Sequence, residues 1–115
     1  MVKDANYYTG LIFGELNAYC YMVKTGCKPV AEMGLQDRHL EEAKEIVGNN
    51  QLKFYSEFLY EGWSTIYIYK HDYLLDIIKS LPEKPNRTNN YWIYGKLFGY
   101  SDEEIRRFIE EHSTS

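Results

Sequence analysis

Residues 52–60 and 63–70 are two runs of aromatic and β-branched side chains separated only by Glu61-Gly62. Bulky and branched side chains pack well on a pleated surface, so both runs read as strands. A two-residue connection ending in glycine closes them into a hairpin. A hairpin by itself is marginal in water, and the rest of the chain must cover at least one of its faces. Pairing Tyr60 with Trp63 sorts the side chains. One face then holds Phe54, Ser56, Phe58 and Tyr60 beside Trp63, Thr65, Tyr67 and Tyr69. The other holds Lys53, Tyr55, Glu57 and Leu59 beside Ser64, Ile66, Ile68 and Lys70. A slip of one residue exchanges these sets on one strand, so the assignment depends on the turn.

The flanking segments supply the cover. Thr9 is positioned to cap a helix over residues 10–25, with Ile12, Leu16, Tyr19 and Val23 along one stripe and Phe13 and Cys20 beside it. Gly26 sits where a left-handed C-cap residue is expected. Pro29 blocks further helix, and Val30–Leu35 is short and apolar enough for a first strand. Asp37 is the expected cap for a helix over residues 38–47, which buries Leu40, Ala43, Ile46 and Val47 and ends at Gly48-Asn49-Asn50. Asp72 caps a helix over residues 73–81, which buries Leu74, Ile77, Ile78 and Leu81. Pro82 and Pro85 lead out of it. A helix follows over residues 89–98, anchored by Trp92, Ile93, Leu97 and Phe98 and stopped by Gly99. Ser101 and Glu104 then form a capping box for a last helix that buries Ile105, Phe108 and Ile109. Residues 110–115 are expected to fray.

The sum is an α+β fold: a mixed or antiparallel three-stranded sheet around a central aromatic-rich hairpin, packed by about five helices. Strands one and two are parallel if adjacent, and strand three antiparallel. At 115 residues the chain has room for one core, so it reads as a single domain with a helical C-terminal part at about 71–112.

Charge and motifs narrow the function. A net charge of −4 argues against a general phosphate-backbone binder. No spanning apolar run and no signal-peptide pattern are present, which makes the expected location cytoplasmic. In that compartment Asn86-Arg87-Thr88 is only a polar loop. Cys20 and Cys27 are seven apart and do not form a redox motif, and reduced thiols fit better than a disulfide. Dinucleotide, Walker and nucleophile-elbow signatures are all missing, so no cofactor is expected. His39 with Glu42, and His71 with Asp72 and Asp76, are too sparse for a dedicated metal site and fit solvated helix ends. His112 lies near the frayed end.

Two carboxylates sit among residues that favour burial. Glu15 lies within Leu11-Ile12-Phe13-Gly14-Glu15-Leu16, with Tyr19 one turn away. Partly buried, it would have a raised pKa suited to acid–base work, with His39 as a further group. Otherwise it points outward between two apolar stripes. Glu57 alternates with Tyr55 and Leu59, and solvation at the sheet edge accounts for it unless it is buried and paired.

The leading expectation is a small protein-interaction domain, with a protein partner or a second copy contacting an open sheet face through Tyr60, Trp63, Tyr67 and Tyr69. The competing cover is the C-terminal helices. A small enzyme or small-molecule binder using Glu15, Tyr19 and His39 is the second class. Base stacking of single-stranded nucleic acid on the aromatic face is the third, weakened by the lack of interleaved Lys and Arg. Leu97–Ile105 has the outline of a DNA-binding turn, but Asp102, Glu103 and Glu104 would oppose phosphates there.

Overall fold

The computed structural model describes residues 2–81 and 88–112, with side chains placed from residue 8 to 81 and from 90 to 112. Pro82, Pro85 and the Asn86-Arg87 loop lie outside the described residues. The order is α1 (Val2–Lys24), β1 (Val30–Gln36), a short 3-10 turn (Asp37–His39), α2 (Leu40–Asn49), β2 (Lys53–Tyr60), β3 (Trp63–Tyr69), α3 (Tyr73–Ser80), α4 (Thr88–Leu97) and α5 (Asp102–His112).

The three strands form one sheet in the order β1-β3-β2, with both pairings antiparallel. Of the two arrangements left open above, the antiparallel one is adopted. β1 and β2 point the same way but lie on opposite sides of β3. Composition explains the choice of centre. β3 carries Ile66 and Ile68 on one face and Tyr67 and Tyr69 on the other, all buried. A strand apolar on both faces belongs inside a sheet. β2 carries Lys53, Ser56 and Glu57, which suit an edge.

The hairpin turn forms as expected, with Gly62 at φ +82° and Tyr60 opposite Trp63. One residue further in, the register shifts: Phe58 faces Ser64, and Leu59 is the extra residue of a bulge. This corrects the face assignment. The bulge exchanges the two sets along β2, so Lys53, Tyr55 and Glu57 share a face with Trp63, Thr65, Tyr67 and Tyr69. Phe54, Ser56 and Phe58 lie with Ser64, Ile66 and Ile68.

Each face has its own cover. On the isoleucine face, Leu16, Cys20 and Val23 of α1 and Ala43 and Val47 of α2 enclose Ala31, Met33, Leu35, Ile66 and Ile68. On the tyrosine face, Leu74 and Ile78 of α3 and Leu97 of α4 close over Val30, Tyr67 and Tyr69. The cover stops there. Towards the hairpin turn the same face carries Gly34, Leu59, Tyr60, Trp63 and Thr65, none of them buried.

The helix ends show which local signals hold. The Ser101 capping box is complete: Glu104 N donates to Ser101 Oγ at 3.1 Å, and Ser101 N to Glu104 Oε1 at 2.9 Å. α1 and α4 end in paired closures around Gly26 and Gly99, at φ +84° and +85°. In the first, Cys27 N donates to Met22 O and Gly26 N to Val23 O; in the second, Tyr100 N donates to Gly95 O and Gly99 N to Lys96 O. α2 closes the same way at Gln51, φ 58°, not at a glycine. Three expected caps are corrected. Thr9 lies inside α1, because nothing from Val2 to Tyr8 breaks the helix. Asp37 accepts from Ser64 Oγ at 2.7 Å, tying the end of β1 to the central strand. Asp72 pairs with Lys53 Nζ at 2.9 Å, tying α3 to the edge strand. Ile77, Ile93 and Phe108, expected inside, are exposed.

Candidate functional site

Two regions of the tyrosine face combine exposure with chemistry. The first is the hairpin end. Tyr60 and Trp63 face each other with ring centroids 6.0 Å apart. Leu59, turned by the bulge, reaches across towards Gly34, where the missing side chain leaves it room. Leu59 is 43% exposed, Tyr60 55% and Phe58, on the opposite face of the same strand, 80%. The outer edge of β2 pairs with no other described strand.

The second lies where the helical cover meets β1. Glu32 is directly opposite Tyr67 in the β1–β3 register, and Tyr55 is opposite Tyr67 on the other side. Tyr55 and Tyr67 stack at 6.0 Å. Both donate to Glu57, Tyr55 Oη to Oε2 at 3.2 Å and Tyr67 Oη to Oε1 at 3.3 Å. Glu32 and Glu57 thus flank one phenol that has a single proton for two carboxylates. The electrostatics follow. Burial pushes the Glu32 carboxyl above the usual carboxylate range, and the charge of Glu57 pushes the same way; the Tyr67 hydroxyl and Lys28 offset part of this. The Tyr67 phenol is held well above its ordinary range by burial and by both carboxylates. Tyr94 is raised for the same reasons.

Glu32 opens onto a cleft of about 560 Å³ between α1, β1, α4 and α5. Aromatic side chains wall it: Tyr19, Tyr91, Tyr94, Phe98, Tyr100 and Phe108. The Lys28 ammonium lies over the Tyr19 ring, 5.4 Å from its centroid. Gly95 lets α5 approach α4 closely, with Ile105 packed where a side chain would otherwise stand.

The sequence-predicted residues are divided by this geometry. Tyr60 and Trp63 remain at the open end. Tyr67 and Tyr69, at 9% and 4% exposure, lie under α3 and α4 and are removed as contact or base-stacking anchors. Glu15 and Tyr19 are neighbours, and burial together with the Glu15 carboxylate raises the Tyr19 phenol. Tyr19 lines the cleft, but Glu15 is exposed and outside its lining. His39 joins neither. It is buried on the isoleucine side of the fold, edge-on to Phe13 at 5.6 Å, and its Nε2 has no hydrogen-bond partner among the described residues. It is therefore not the solvated helix end expected of it. Phe13 and Glu15 leave opposite sides of α1, which keeps the histidine and the acid apart. Cys20 is a buried thiol raised by that burial, and Cys27 is an exposed free thiol.

Glu32 was missed although its signal matches that of Glu15: a carboxylate inside the apolar segment Val30–Leu35. Lys28, Tyr91 and Tyr94 carry no local signal, because the cleft joins segments distant in sequence. Among the described residues no cluster of three His, Cys, Asp or Glu side chains could hold a metal, and no helix is long and apolar enough to cross a membrane. Compared with protein-family models and with curated proteins, the chain matches none.

Proposed function

We propose that this is a protein-interaction domain that presents the bulged hairpin end of its sheet to a partner chain or a second copy. The observation that carries the reading is the uncovered patch of Leu59, Tyr60 and Trp63 beside the free edge of β2, with exposed Phe58 on the other face of that strand. Apolar side chains grouped on a surface favour association, and tyrosine and tryptophan provide contact area while tolerating water in the free state. The free backbone groups of an edge strand add hydrogen bonds to an extended partner segment. Lys53 and Glu57 on the same strand restrain unselective edge pairing, leaving side-chain contacts to select the partner.

Photo-crosslinking from the hairpin tests this. A photoreactive residue replacing Phe58 or Tyr60 in the cell should give one defined adduct, either with the chain itself or with a specific partner. The same group replacing exposed Glu45 on α2 should not. Equal adduct patterns from all three positions would remove the hairpin as an interaction surface.

A further inference from the structure

The cleft beside β1 calls for a different occupant from the hairpin end. Its walls are aromatic, and the sheet adds Glu32 to the lining, opposite a phenol that donates to a second carboxylate. Three carboxylates, Glu32, Glu104 and Glu111, line it against two cations, Lys28 and Arg107. Both cations have contacts of their own. Arg107 reaches Glu103 at 3.6 Å, and Lys28 rests on the face of Tyr19 and makes no ion pair with Glu32. Glu104 is held in the Ser101 capping box and Glu111 lies in the last turn of α5, so Glu32 is the lining carboxylate that the sheet supplies. The Tyr19 ring is already used by an ammonium, the protein's own. A ring face next to a carboxylate attracts a cation twice, through the quadrupole and through the charge.

We propose that this cleft binds a small organic cation, an alkyl- or arylammonium compound, with the ammonium at Glu32 and the apolar body among Tyr91, Tyr94, Phe98 and Phe108. The cleft volume suits a small ligand and little more. The ammonium supplies further donors for Glu32 without taking the Tyr67 proton from Glu57. Lys28 is then a gate. It holds the Tyr19 face when the cleft is empty and competes with a cation that enters. The overall charge of −4 favours the same ligand class.

The test is an NMR titration of the full chain with phenylethylamine and its trimethylammonium form, set against phenylethanol and phenylpropanoate as neutral and anionic counterparts. The amines should shift the amides around Glu32, Tyr94 and Gly95, and bind at least about tenfold tighter than the alcohol. Glu32→Gln should remove most of that preference. Lys28→Met, at the mouth, should do the opposite and tighten amine binding severalfold, a result that no loss of folding could imitate. The inference is overturned if neither amine binds below about 10 mM, if the alcohol or the acid binds as well, if Lys28→Met weakens the amines, or if the shifts fall at Leu59 and Trp63.

Discussion

Gly95 offers a measurement in which two known effects oppose each other. It lies in α4, and a Cβ built on it would stand 2.4 Å from Ile105 Cγ1 and 2.5 Å from Cδ1. Gly14 lies in α1, and a Cβ there would meet nothing within 4 Å. Alanine at either position gains about 1 kcal/mol of helix propensity over glycine. At Gly14 that gain should appear undiminished. At Gly95 it must be set against forcing aside Ile105, which is 3% exposed and β-branched, with little rotamer freedom in its own helix. Overpacking of this kind costs about 1–3 kcal/mol. Relaxation by separating the helices is restricted, because the Gly99 closure and the Ser101 capping box fix the turn between α4 and α5.

Gly95→Ala should therefore destabilise by about 1 kcal/mol, while Gly14→Ala stabilises by a similar amount. Urea unfolding followed by far-UV circular dichroism should separate the two midpoints by about 1 M. The cause is checked by Ile105→Ala, which removes both clashing atoms and leaves Cβ at an ordinary 3.6 Å from the new methyl. Alone it should cost about 2–5 kcal/mol, and in the Gly95→Ala background about 2 kcal/mol less. If Gly95→Ala raises the midpoint as Gly14→Ala does, or if the two changes at the α4–α5 contact are additive, the close approach of these helices is refuted.

Other substitutions probe the caps and the acid pair. Gln51→Gly should stabilise by about 0.5–1 kcal/mol, since a left-handed residue closes α2 there and glycine adopts that conformation without a Cβ clash. The same urea assay reads it, and a loss of stability would count against the closure. Ser101→Ala should cost about 1 kcal/mol by removing the hydroxyl that accepts from Glu104 N, and an unchanged midpoint would mean the box contributes nothing. Glu32→Gln bears on pH dependence. The folded protein raises this carboxyl, so it resists ionisation more than the unfolded chain does. Its contribution to stability is greatest when it is protonated, and falls as pH rises from the ordinary carboxylate range through the raised value. The variant should be more stable than wild type at pH 7, with the gap closing below about pH 4. A gap that is constant with pH, or reversed, would contradict the raised carboxyl.

Much of the fold is legible because its signals are local. Residues 63–69 have the branched and aromatic composition of a strand, Gly62 and Gly99 occupy positions that need a positive φ, and Ser101 and Glu104 stand three apart as a capping box requires. The stripes of α1 and α2 are also local, and their residues do enter the core. The expected caps fail where a distant partner outbids the local one. Asp37 and Asp72 are sound N-cap residues by type, but the sheet brings Ser64 to the first and Lys53 to the second. Periodicity also overstates burial at Ile77, Ile93 and Phe108, because it defines the width of an apolar stripe and not how much partner surface the fold can supply.

The site turned on a single residue. The alternation in β2 is plain in the sequence, but its phase relative to β3 depends on whether Leu59 is counted as a paired residue or as a bulge. Unbulged, the strand would place Glu57 beneath α1 and α2, opposite isoleucines, where a charge is costly without a partner. Bulged, it puts Glu57 within reach of Tyr55 and Tyr67 and moves Phe54 into the isoleucine core. The bulged register satisfies the carboxylate and buries Phe54 more usefully. Its cost is borne at the other end of the strand, where Phe58 is left 80% exposed and Leu59 is turned out across Gly34. The hydrogen-bonded Glu57 and the apolar patch are thus consequences of the same extra residue. Deleting Leu59 should restore strict alternation through the turn, and would have to disrupt the hydrogen bonds of Glu57 and the exposed patch together. A deletion variant that kept the Tyr67 phenol raised while losing the hairpin contacts would separate the two regions and break that link.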